Sequence, residues 1–99
     1  MSTTKIRFNA VNYRQGFVEI LPNIHPRMVN IETWLIHPDV DISGKQLDKT
    51  LGDHVIGNTE IELSTAEARA LAERILMAVT LIEEGRSKAE SLALMGYRD

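Results

Sequence analysis

The chain has 99 residues, 43% of them hydrophobic and 25% charged, with a net charge of −3 at pH 7, which is enough material for one packed core and too little for two. That mild acidity excludes a strong general pull on phosphate backbones, so nucleic acid is a disfavoured partner. The absence of cysteine excludes a disulfide frame, a thiolate metal site and a cysteine nucleophile.

The opening segment, MSTTKIRFNA, lacks the apolar centre of a signal peptide. No run approaches the roughly 20 apolar residues that cross a bilayer, so the expectation is a cytoplasmic protein with no membrane partner.

Residues 5–13 alternate, with Ile6, Phe8 and Ala10 on one face and Lys5, Arg7 and Asn9 on the other, the period of a strand. Arg14, Gln15 and Gly16 then read as a turn in which the glycine supplies positive φ, and 17–21 as the return strand of a hairpin. Pro22 and Pro26 bracket Asn23, Ile24 and His25, which makes this stretch an edge or connecting loop. A third strand is predicted over 28–36. Val29, Ile31, Thr33 and Leu35 share one face, and Met28, Asn30, Glu32, Trp34 and Ile36 the other, placing the single tryptophan on the more polar side.

The stretch 39–57 is less regular: a turn at Ser43 and Gly44, a short helix over 45–51 ended by Gly52, and a short strand over 54–56. Gly57 and Asn58 signal a turn, and 59–63 alternates with Ile61 and Leu63 facing inward, the fourth strand.

The clearest segment follows. Ser64 and Glu67 stand at the spacing of a capping box, and Gly85 suits the left-handed position that ends a helix. Within it, Ala68, Leu71, Ala72, Ile75, Val79 and Ile82 recur at intervals of three and four as a stripe able to cover a sheet. Leu76, Met77, Ala78 and Leu81 are apolar as well, so the last two turns are expected to be buried on more than one side. Ser87 and Glu90 repeat the capping-box spacing ahead of Gly96, predicting a short second helix that folds back over the first.

These elements give an α+β class: one domain over 1–99, with a small, mostly antiparallel sheet of three to five strands packed on one long C-terminal helix and a short terminal helix after it. The surplus apolar face is expected to be covered by that second helix, by a second copy of the chain, or by both, since such a face is a common building block of two-fold interfaces; a homodimer would form through Leu76, Met77 and Leu81.

Candidate chemistry is sparse. His25, His37 and His54 are the residues that would ligate a metal, but none pairs with another at helical or hairpin spacing. Asp39, Asp41, Ser43 and Gly44 open like a calcium loop. The closing carboxylate position holds Thr50 instead, so the segment reads as an Asx turn. Glu60 and Glu62 share a strand face and imitate a carboxylate dyad, yet period-two geometry makes them the solvent side of the fourth strand. No phosphate loop, H-E-x-x-H or G-x-S-x-G motif occurs in the sequence, and no cofactor is implied.

The function expected is therefore non-enzymatic: a protein-binding adaptor or inhibitor, of the kind common among small bacterial and phage accessory proteins. The contact residues would be Glu73, Glu83 and Glu84 of the acidic helix face, Glu32 and Trp34 of the sheet, and Tyr97 and Arg98, types enriched at interface hot spots. The competing reading is a metal- or ligand-binding enzyme domain built on the three histidines and the 39–44 loop. A weaker one is nucleic-acid binding through Lys5, Arg7, Arg14 and Arg27.

Overall fold

The structure, a computed structural model, describes residues 5–8, 15–42 and 53–97. It is α+β: a four-stranded antiparallel sheet in the order β1-β2-β3-β4, followed by a long helix and a short one. The strands are β1 (Lys5–Phe8), β2 (Gln15–Pro22), β3 (Met28–Ile36) and β4 (Val55–Ser64); the helices are α1 (Thr65–Glu83) and α2 (Lys88–Leu94). The chain divides into two compact units, residues 1–63 and 64–99. No helix among the described residues is long and apolar enough to cross a membrane. The expected turn at Ser43 and Gly44, the helix over 45–51, and Arg14 and Arg98 lie outside the described residues.

In the sheet unit, β2 and β3 form the longest ladder, from Gln15 opposite Ile36 to Pro22 opposite Val29. Their connection is the proline-bracketed stretch, and it is a tight hairpin loop. Asn23 and Arg27 both take positive φ, 57° and 66°, and the Asn23 side chain accepts the Arg27 N–H at 3.0 Å. Asparagine tolerates this geometry because its short amide can replace a missing backbone partner.

Two glycines read as turn residues are strand residues. Gly16 pairs with Phe8 on one side and Leu35 on the other, and its φ is not positive. Gly57 and Asn58 lie inside β4, so the two short strands expected on either side form one strand of ten residues. Asn58 replaces a turn bond with a cross-strand one, its amide donating to the Thr33 carbonyl at 2.9 Å.

The sheet core also departs from expectation. Register places Gln15, Phe17, Glu19 and Leu21 on the same face as Ile36, Trp34, Glu32 and Asn30, and this is where Phe17 and Ile36 are buried with Ile42. The tryptophan face, read as the more polar one, carries the core because the segment after β3 returns over it. That return is pinned by Gln15, whose amide donates to the carbonyls of His37 (2.9 Å) and Val40, and by Arg7, which donates to the Ile42 carbonyl at 3.2 Å.

In the helical unit, both helices form as read. Ser64 accepts the Glu67 N–H at 3.1 Å, and Glu67 accepts the Ser64 N–H at 2.9 Å; Ser87 and Glu90 repeat the arrangement. Both helices stop alike. Gly85 donates to Ile82 and Arg86 to Leu81, while Gly96 donates to Ala93 and Tyr97 to Leu92, the paired bonds of a Schellman stop with a positive-φ glycine in each.

Candidate functional site

The three histidines do not converge on a metal. His25, in the β2–β3 loop, bonds the Glu62 carboxylate of β4. This hydrogen bond first, and then the Glu62 charge, raise the imidazole above its ordinary pKa of 6.5. His37 turns its Nδ1 onto the Asp39 N–H at 3.1 Å, so a histidine ring braces the start of the turn after β3; the Asx turn expected over 39–44 runs into residues outside the described ones. His54 meets His37 only through the backbone, its carbonyl accepting the His37 N–H at 2.8 Å. Among the described residues no group of three or more His, Cys, Asp or Glu side chains is placed to hold a metal ion.

The sheet-side contact candidates are engaged within their own unit. Trp34 is half-buried against the Phe17 and Ile36 core, and its indole N–H donates to Glu19 Oε1 at 2.9 Å. Glu32 is half-buried and stands opposite Glu19 across the ladder. Glu60 is exposed, and Glu62 is held by His25.

The helical candidates are different in kind. Glu73, Glu83 and Glu84 are exposed, with Glu84 paired to Arg86 at 3.3 Å. Tyr97 is exposed and lies under the Arg74 guanidinium, 5.2 Å from ring centroid to carbon, a cation–π contact that pins the tail of the unit to α1.

Between them runs apolar surface. Leu81 is the one buried residue of α1, whereas Leu71, Ile75, Leu76, Met77, Val79 and Ile82 are all exposed. The expectation that the last two turns are buried on more than one side is thus corrected within the single chain: Ile75 is 54%, Leu76 65% and Ile82 72% exposed. Of the three residues expected at a dimer interface, Leu76 and Met77 are accessible and Leu81 is not. Sequence periodicity could rank these positions as apolar but could not say which ones the chain itself covers.

Compared with protein-family models, with curated proteins and with solved structures, the chain matches none.

Proposed function

We propose that the chain is a non-enzymatic protein-binding protein that docks other protein chains through its helical unit. One observation carries this reading: five large apolar side chains of α1, Leu71, Ile75, Leu76, Val79 and Ile82, are exposed along one side of a helix capped at both ends. Contiguous apolar surface of this kind costs free energy in water and marks an interaction site more often than it marks nothing. The Glu83 carboxylate borders it, and the exposed Glu73 and Glu84 carry the acidic charge of the rest of the helix; together they favour a partner surface with basic groups, which they would steer and orient. Tyr97, held by Arg74, adds an aromatic contact at low entropic cost.

The test is a photo-crosslinking amino acid placed at Ile82, and separately at Glu60 of the sheet, with each full-length chain expressed in its native host. A discrete protein adduct from position 82, and none from position 60, supports docking through α1. No adduct from position 82, or the same adducts from both positions, overturns it.

A further inference from the structure

We infer that the apolar stripe of α1 is closed by the α1 of a second copy of this chain, packed antiparallel about a two-fold axis beside Leu76. The inference rests on the reading that this stripe docks protein, and it names the occupant.

Leu71, Ile75, Val79 and Ile82 follow one another at intervals of four, four and three, so they lie in one stripe along the helix. Arg69, Leu76 and Glu83 are seven residues apart and therefore line one edge of it. All three are exposed, and neither Arg69 nor Glu83 enters a salt bridge among the described residues.

A second copy laid antiparallel with Leu76 beside Leu76 brings Arg69 of each chain against Glu83 of the other, seven residues to either side of the axis. The same placement brings Leu71 to within about one residue of the level of Ile82, and Ile75 to within about two of Val79, so the two stripes overlap along their length. A parallel two-fold pair would instead put the two copies of this edge on opposite sides of the seam, where neither arginine meets a glutamate. The edge is thus complementary to itself in one orientation only, which is the requirement of an isologous interface. Glu73 and Glu84 lie away from this stripe on the helix, so the pair leaves them free to meet a different protein.

Sedimentation equilibrium of the full chain tests this with two charge reversals, Arg69→Glu and Glu83→Arg, each checked for helix content by circular dichroism. The wild type is expected to be a dimer at micromolar concentration, and each single variant to associate about tenfold more weakly or worse. An equimolar mixture of the two variants restores both attractive contacts and is expected to form a heterodimer, and the double variant R69E/E83R is expected to recover self-association. A wild type that stays monomeric at about 100 μM, or reversals that neither weaken association singly nor rescue it together, overturns the inference. Adducts of Ile82 with a different protein alongside a monomeric wild type would defeat self-pairing while leaving the docking reading intact; a monomer with no adduct at position 82 would defeat both.

Discussion

The carbonyl oxygen of Trp34 occupies the space that a side chain on Gly16 would need: a Cβ built there falls 2.0 Å from that oxygen and 2.5 Å from Phe8 Cζ. Gly16 is required because two neighbouring strands close in on it, not because its backbone is left-handed. Gly16→Ala is therefore expected to cost about 3 kcal/mol or to prevent folding of the sheet unit, since backbone cannot yield as a side chain can. At Gly57 the nearest atom to such a Cβ is Leu35 Cβ at 3.4 Å, and Gly57→Ala should stay within about 1 kcal/mol of the wild type. Urea unfolding followed by fluorescence of Trp34, the only tryptophan, measures both.

Asn30 is 0% exposed, and among the described residues neither its Oδ1 nor its Nδ2 has a hydrogen-bond partner. A buried amide left unpaired loses its hydration with no return. Asn30→Leu, which nearly conserves shape, is expected to raise stability by about 1 to 2 kcal/mol. The same urea experiment reads the shift in midpoint.

Opposite pH limits are expected for the two units. The His25 pKa is raised by Glu62, so the stabilisation from this pair is complete below the unfolded value of 6.5 and is lost as pH rises through the higher folded value. His25→Ala should abolish that alkaline loss. Glu67 and Glu90 are lowered by their bonds to Ser64 and Ser87. Their contribution is present above the unfolded value of 4.5 and is lost as pH falls through the lower folded values. Ser64→Ala combined with Ser87→Ala should flatten the acid limb of helical circular dichroism, and each cap removed should cost about 1 kcal/mol.

Leu81 and Leu76 separate burial within the chain from burial against another. Leu81 is 8% exposed, and Leu81→Glu should unfold the helical unit, at a cost of about 3 kcal/mol or more, because it buries a charge without a partner. Leu76→Glu should keep the helix content of the wild type and lower only the sedimentation mass.

The elements that were legible in the sequence are those whose signals are local. The β3 strand shows its β-branched alternation and its stop at His37 and Pro38, and α1 and α2 each state a cap, a body and a glycine stop within one stretch. The departures all involve residues distant in sequence. Nothing near Gly16 distinguishes a turn glycine from one crowded by Phe8 and Trp34, and nothing near Asn58 announces the Thr33 carbonyl. The Trp34 face became the core because Ile42, reached only after the chain turns back, completes it. For the candidate site, the acidic positions and the apolar surplus of α1 were readable, while the commitment of Trp34 to Glu19 and the burial of Leu81 required the third dimension.

The most direct test of the α1 surface uses the absence of cysteine to attach one spin label per chain, at Glu73→Cys or at Ala66→Cys, both outside the apolar stripe. Dipolar spectroscopy then gives the distance between copies. In the antiparallel pair each label lies the same number of residues from Leu76 as its mate, so at 1.5 Å per residue the axial separation is about 9 Å at position 73 and about 30 Å at position 66. Because the lateral separation of the labels across the pair adds in quadrature to the axial one, the result expected is a distance longer at position 66 than at position 73 by on the order of 10 Å. Equal distances at both positions, or no dipolar coupling at either, would contradict it.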